Sequence, residues 1–544
     1  MLMSKSIRKG NYILFFVLAV FAIIVYRNAW LNDDSYITFR TIDNFISGYG
    51  LRWNIAERVQ TYTHPLWLFL LSFFYFFSRE FYFTPLFVSM FLSLCAVGIF
   101  ALKTASSRIM ASIGVIVLFS SKAFVEYCTS GLENPLSYLL AALFFMVYFR
   151  SKLTLRSFFY LSLMASLAVL NRMDMFLIYF PSLVFCFFRL RSLKALILLI
   201  LGFLPVIAWE LFSLIYYGFP FPNTAYAKLN TGIPKIELIQ RGFYYALNSI
   251  RIDPITLAVI VSACIFIFNI RNDKDFIKKL AVFGGIFLYI VYVIKIGGCF
   301  MSGRFFSVPF FVSAMLIANH NFTFSRNHLL VLGAVWLVLM GISQSPPFLR
   351  TSRYGLLPEQ KRWLNDKHDI ADEQLFYFQS TGLLILKKDK KPPYNLSFSS
   401  FNPAHEGLKL RKPTPQVLQF SNIGIIGCYA GRNLHIVDPF GLSDPLLARL
   451  PAVYDPDWRP GHFLRKIPEG YMETIQNRLT ANMIKDPAIA RYYEKLSIVT
   501  RRRNLFSRER LKAIYWLNCG KYFTDDYSAL KNHLVQYRFA EEQK

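Results

Sequence analysis

Two adjacent carboxylates, Asp33 and Asp34, follow the first long apolar run of the chain, in the stretch Asn32-Asp33-Asp34-Ser35-Tyr36-Ile37-Thr38-Phe39-Arg40. Acids at a membrane boundary are costly to bury, so such a pair is either solvated or kept for chemistry such as proton abstraction or cation binding. A helix start is the other reading. An amphipathic stretch runs from Ser35 to Ser47, and either aspartate could cap it while the other reacts. A divalent cation at the pair would need further ligands from elsewhere in the chain. Beyond the pair come Gly48 to Asn54 and Glu57 to Trp67, where glycines allow a reversal and the aromatic, Asn and Thr side chains could line a sugar site. Trp53 and Trp67 also suit plain interfacial anchoring, and His64, just before Pro65, suits either titration or a structural role.

The elements that must position these residues are set by composition. Of 544 residues 54% are apolar, 55 are Phe and only 17% are charged, which excludes a single water-soluble domain and also disorder. Net charge is +27, yet residues 1–345 hold 29 basic and 13 acidic residues, mostly as short basic clusters between apolar runs. That pattern belongs to membrane loops and argues against nucleic acid as a partner. Seven cysteines show no zinc spacing.

Eleven apolar runs are long enough to be read as crossings: 12–30, 82–102, 109–124, 135–150, 157–170, 173–188, 195–216, 255–270, 280–298, 303–319 and 328–345. The first follows Lys5, Arg8 and Lys9 and has no cleavage site, so it reads as a retained anchor with a cytoplasmic N-terminus. Basic loops at Lys103 and Arg108, at Arg150, Lys152 and Arg156, at Arg189, Arg191 and Lys194, and at Arg271, Lys274, Lys278 and Lys279 agree only if all four lie inside. An odd number of crossings then puts residues 346–544 outside, and the apolar piece His64 to Phe77 becomes a half-span or interfacial helix. The expected architecture is a polytopic all-α membrane body, residues 1–345, with a first external loop at 31–64 and an extracytoplasmic mixed α/β domain at 346–544. In that domain Leu383 to Leu386, Asn395 to Phe398 and Leu434 to Val437 read as strands; Glu469 to Leu479 and Pro487 to Leu496 read as helices, the second capped by Asp486. Cys428 and Cys519 could pair there.

On this topology four further polar groups fall on the same outer face as the aspartates: Glu133, Arg172 with Asp174, Asn223 and Thr224 with Lys228, and Cys299 to Arg304. Arg172, Lys228 and Arg304 could hold an anionic phosphate, although snorkelling to the interface would account for each alone. Glu133 and Asp174 could be their counter-ions. A turn at Asp438 to Asp444 and a lone His462 are lesser candidates.

The motifs Asp33–Arg40, Gly48–Asn54, Tyr62–Trp67, Ser130–Pro135, Asn171–Asp174, Pro222–Lys228, Gly297–Arg304 and Asp438–Pro445, in this order over nearly the whole chain, resemble the AftB-type terminal β-(1→2)-arabinofuranosyltransferases, of the GT-C superfamily. The resemblance implies a bacterial plasma-membrane enzyme that transfers arabinofuranose from a polyprenyl-phosphate donor to an extracytoplasmic glycan, glycolipid or protein. Taken with the residue chemistry above, the expected site has Asp33 and Asp34 as catalytic, Arg172, Lys228 and Arg304 at the donor phosphate, and Tyr36, Arg40, Tyr62, His64, Glu133, Asp174, Asn223 and Thr224 at the substrates. One departure stands out: the family usually has an acid where this chain has Cys299. A transporter of lipid-linked sugar, or an enzyme for aminoarabinose or a hexose, is the alternative. A transporter predicts midplane charges and similar halves, and neither pattern is evident. Direct displacement by one base would invert the anomeric centre, so a retained configuration would need the second carboxylate as nucleophile or stabiliser.

Overall fold

The computed structural model describes residues 2–519 except 230, 232, 357–359, 361–363, 387–402, 454–457 and 478–480, and side chains from Gly10 onward. The expected strand at Asn395 to Phe398 lies outside the described residues. The membrane body is built of α1 (Leu2–Arg27), α2 (Asp33–Asn44), α3 (Pro65–Ser78), α4 (Phe83–Ile99), α5 (Arg108–Ser120), α6 (Lys122–Glu126), α7 (Asn134–Arg150), α8 (Leu155–Asn171) and α9 (Phe176–Leu190). It continues through α10 (Leu193–Gly202), α11 (Leu204–Tyr216), α12 (Asn223–Leu229), α13 (Lys235–Ile252), α14 (Pro254–Asn269), α15 (Phe276–Lys295), α16 (Ser307–Ala318) and α17 (Arg326–Ile342).

Local chemistry explains the ends. The Ser107, Thr154, Ser192 and Ser325 side chains accept backbone N–H groups at the starts of α5, α8, α10 and α17. Pro65 and Pro254 occupy first turns, where no N–H is needed. Each of the eleven apolar runs falls on helix. Four stretches among the described residues are long and apolar enough to cross a bilayer, and two bent pairs, α10 with α11 (49°) and α13 with α14 (112°), raise the number to six. These four to six spans make the protein a multi-pass membrane protein, and the shorter apolar helices, α3 among them, leave its count short of the expected eleven among the described residues. α13 does not stand out in the sequence, because one of its faces is polar. α9 and α15 cross most closely at Gly285, where an added Cβ would lie 2.1 Å from the Ile178 carbonyl oxygen.

The helices run between two chemically different ends. α7 begins beside Glu133 and ends at Arg150; α9 begins beyond Asp174 and carries Arg189 in its last turn; α16 begins beside Arg304 and ends near His320. At the far end Arg150 donates to the Ala105 carbonyl, Lys278 to that of Phe149, and Ser106 to that of His320. The basic loops thus gather at one end, and the acids and arginines of the candidate site at the other, about 25 Å away for a 17-residue helix.

Beyond residue 346 strand content is smaller than expected. Among the described residues there is one sheet, β1 (Gln416–Gln419) parallel to β2 (Leu434–Val437). Leu383 to Ile385 forms a 3-10 turn and not a strand, since Leu383 donates its N–H to the Ala29 carbonyl and its side chain enters the membrane-body core. The helix at Glu469 is shorter, Tyr471–Gln476, with 478–480 outside the described residues. The helix starting at Pro487 is longer, reaching Arg501, and Asp486 caps it as expected. All seven cysteines, including Cys428 and Cys519, are free thiols.

No gap separates the two halves. The large core cluster takes in Leu375, Phe378, Ala404 and Ile425 from beyond residue 346, and Ile37 and Trp53 pack with Ile423, Leu434 and Ile436 in another. Polar ties reinforce this. Arg40 donates to the carbonyls of Trp53 (3.0 Å), Gly427 (2.8 Å) and Leu434 (2.6 Å), and Asn54 exchanges two hydrogen bonds with the Ile436 backbone. Arg58 donates to the Val499 and Arg502 carbonyls, and Glu57 pairs with Arg501 at 2.8 Å.

Candidate active site

Helix α2 aims the acid pair. Its cap is Asn32, whose Oδ1 accepts from the Asp34 N–H at 2.8 Å, so neither aspartate caps the helix, contrary to the sequence-based expectation. Asp33 turns toward the C-terminal part of the chain and accepts from the Ile425 N–H at 2.8 Å. Burial pushes its carboxyl up to about 7; the Ile425 N–H opposes this and the neighbouring Asp34 adds to it. Asp34 is only half-buried, and among the described residues its carboxylate meets no hydrogen-bond or ion-pair partner. Its charge acts on Lys228, on Arg304 and on Glu373.

Beneath the pair lies a closed ionic network. Glu133, fully buried at the start of α7, accepts from Arg172 at 2.8 Å and from Arg304 at 3.0 Å, and stands 3.5 Å from His64 Nδ1. Arg172 is further held by Asp174 at 2.5 Å, to which Tyr289 also donates, and its guanidinium lies over the Phe305 ring. His64 Nε2 meets Thr38 Oγ1 at 2.8 Å; burial pushes its imidazole down to about 4, so the ring is neutral at neutral pH. Arg304 projects from a loop that turns at Gly298 (φ +71), where a Cβ would lie 2.5 Å from that of Tyr245, so only glycine fits. The same loop carries Cys299, buried among the charges of Arg304, Lys228 and Arg172.

Several donors around this network are unspent. Among the described residues Lys228 Nζ has no hydrogen-bond partner, and the buried Nε atoms of Arg304 and Arg459 and Nδ1 of His462 have none either. Lys228 is reachable from outside but walled by protein, and this crowding lowers its ammonium pKa, with Arg304 and Arg172 in the same direction and Asp34 against them. His462 packs edge-on against Phe300 and Phe440. Burial pushes its ring down to about 3.

Asp33, Asp34, Glu133, His64, Arg172, Asp174, Lys228 and Arg304 are therefore brought together. Others are occupied elsewhere. Arg40 is used up on the three carbonyls of Trp53, Gly427 and Leu434. Tyr36 is buried against Phe39 and Tyr429, and the Tyr62 hydroxyl meets that of Tyr217 at 2.8 Å. Asn223 donates to the carbonyls of Gly441 and Asp444 and accepts from Arg449, holding the Asp438–Pro445 turn; Thr224 is buried beside it. The turn itself closes on Asp438, which accepts three backbone N–H groups. Two residues escaped sequence reasoning: Glu373, which accepts from Asn32 at 3.2 Å, and Arg459, 3.3 Å from Glu373. The one signal for the former was a second acid pair, Asp372-Glu373, at a helix start. Among the described residues no group of three His, Cys, Asp or Glu side chains could hold a metal ion.

No family model matches the chain. Its fold overlaps loosely with the archaeal oligosaccharyltransferase AglB from Archaeoglobus fulgidus, solved in complex with an inhibitory peptide and a dolichol-phosphate: TM-score 0.41, 11% identity, 79% of this chain and 65% of that one. In sequence the chain is similar to the terminal β-(1→2)-arabinofuranosyltransferase of Mycobacterium tuberculosis, 25% identical over 506 residues that span 78% of this chain and 79% of that protein.

Proposed function

We propose that this multi-pass membrane protein is a glycosyltransferase that moves a pentose, arabinofuranose, from a polyprenyl-phosphate donor to an extracytoplasmic glycan, glycolipid or protein. The observation that carries the reading is the juxtaposition of an unspent carboxylate, Asp34, with unspent cationic donors on Lys228 and Arg304. The similarity to a terminal arabinofuranosyltransferase supports the choice of sugar. The acid end of the helices is the extracytoplasmic one, because the basic loops gather at the other.

In this reading Asp34 takes the proton of the acceptor hydroxyl. The hydroxyl oxygen forms a bond to the anomeric carbon, and the bond from that carbon to the phosphate oxygen breaks with its electron pair. Polyprenyl phosphate leaves, its charge met by Arg304, Arg172 and Lys228. Asp33, anchored on Ile425, is the orienting member of the pair; as a nucleophile it would give retention instead of inversion. An apolar groove of about 360 Å³ between α9 and α10–α11, lined by Phe176, Phe180, Leu183, Phe187, Leu199 and Phe203, begins two residues after Asp174 and offers the isoprenoid tail a path.

The test is Asp34→Asn in proteoliposomes supplied with polyprenyl-phosphate arabinofuranose and an oligosaccharide acceptor. Loss of a general base predicts a fall in transfer of about 10²–10⁴-fold. Unchanged transfer would overturn the assignment, and mass spectrometry of surface glycans with and without the gene names sugar and acceptor.

A further inference from the structure

The reading of Asp34 as base leaves open what holds it in place, and the outer domain answers. Asn32 is wholly buried and bonded on every side: its N–H donates to the Ser130 carbonyl, its own carbonyl accepts from the Ser35 hydroxyl at 2.6 Å, and its Oδ1 accepts from the Asp34 N–H. Its remaining amide group, Nδ2, donates to Glu373 Oε2 at 3.2 Å. Glu373 Oε1 in turn faces Arg459 at 3.3 Å. A line of side chains thus runs from Arg459 through Glu373 to Asn32 and ends on the backbone N–H of Asp34, at the first turn of α2; Glu373 and Asn32 are 341 positions apart.

The same strap grips the other half of the site. Two residues before Glu373, Ala371 donates its N–H to the Phe300 carbonyl at 2.7 Å and accepts from the Ser302 N–H at 2.9 Å, forming a parallel bridge with Met301. That loop presents Cys299 and Arg304. Arg459 lies over the Phe300 ring at 4.6 Å, closing the circuit. Asp366 and His368 fasten the strap to α13, through Asn248 and through stacking on Tyr244.

We propose that Glu373 is a positioning residue for the transfer reaction: through Asn32 it sets the orientation of Asp34, while its neighbour Ala371 sets the loop that carries Arg304. The proposal rests on the glycosyltransferase reading for its kinetic consequences, but the link itself is a property of the fold. A displaced base costs turnover more than donor binding, because the two arginines assigned to the phosphate keep their own partners on Glu133 and Asp174.

Glu373→Ala, Glu373→Gln and Asn32→Ser, each in the full-length protein in proteoliposomes, test this. Glu373→Ala should lower kcat by about 10–10²-fold with donor KM changed less than about threefold. Glu373→Gln should restore most of the rate, since its amide oxygen still accepts from Asn32. Asn32→Ser keeps a capping oxygen but loses the Nδ2 donor, so it should match Glu373→Ala, and the double variant should be no worse than either single one. Wild-type kcat in Glu373→Ala, failure of Glu373→Gln to rescue, or additive losses in the double variant would each overturn the proposal. If the wild-type protein itself transfers no pentose, the functional reading fails and the link is read without donor. Carbodiimide modification of Asp34, followed by peptide mass spectrometry at a single pH, should then change in rate in Glu373→Ala and Asn32→Ser but not in Glu373→Gln. An unchanged rate in the first two overturns it.

Discussion

The lower and upper halves of the candidate site are built from the same residue types and behave oppositely. Below, Glu133, Arg172, Asp174 and Arg304 neutralise one another at 2.5–3.0 Å, so their charges hold shape. Above, Asp34 and Lys228 have no such partners among the described residues and stay accessible. A buried charge held by counter-ions keeps its place and offers a substrate only what those partners leave, here the Nε of Arg304, whereas one left open at a cleft can bind or react with its whole charged group. The lower half is the foundation, which fixes the arginines in place, and the upper half carries the groups left fully open.

Breaking the foundation should have the largest effect on the protein as a whole. Glu133→Gln leaves Arg172 and Arg304 facing each other without their shared counter-charge. Removing one partner of a buried network costs about 3–5 kcal/mol, so the thermal midpoint in detergent should fall by several degrees and transfer should vanish with it. Asp34→Asn, by contrast, should abolish transfer while leaving that midpoint unchanged, because no described partner is lost. The pair of variants sharpens the contrast: if Asp34→Asn unfolds the protein, the upper half is structural too.

Lys228→Met should act more narrowly. A charge-assisted hydrogen bond is worth about 1.5–3 kcal/mol, so donor KM should rise by roughly 10–10²-fold with little change in the midpoint. An unchanged KM would place the phosphate on the arginines alone. The smallest effect concerns pH. Burial, with Asp34 and Asp33 nearby, pushes Glu373 up to about 8, and Asp33 stands at about 7. Both acids hold protons in the folded protein that the unfolded chain has already released, so stability should decline as pH rises from near 4 through 8. Differential scanning fluorimetry at about pH 6 and about pH 8.5 should show this decline, and Glu373→Gln should flatten it.

Much of the lower half was legible in the chain. Glu133, Arg172, Asp174 and Arg304 each sit at a helix end next to an apolar run, where an ionisable residue has to face a partner or a cavity. The strand Leu434–Val437 and the Asp486 cap were legible for the same local reason: alternation and capping act over a few residues. The roles of Arg40, Tyr62 and Asn223 were not. Their types suit a sugar site, yet their hydrogen-bonding capacity goes to backbone carbonyls or to a tyrosine hydroxyl reached only after folding. Glu373 and Arg459 were missed because nothing periodic links them to Asn32.

By itself the sequence determined that this protein lives in a membrane, which ends of its helices carry acid and arginine, and that two aspartates stand at one such end. Those properties follow from hydropathy and charge, which are local and additive along the chain. Which carboxylate is left open was decided only by the tertiary structure. The Ile425 N–H reaches Asp33 across 392 positions, and no such donor arrives at Asp34 among the described residues. Whether a charge is spent depends on what the fold brings beside it.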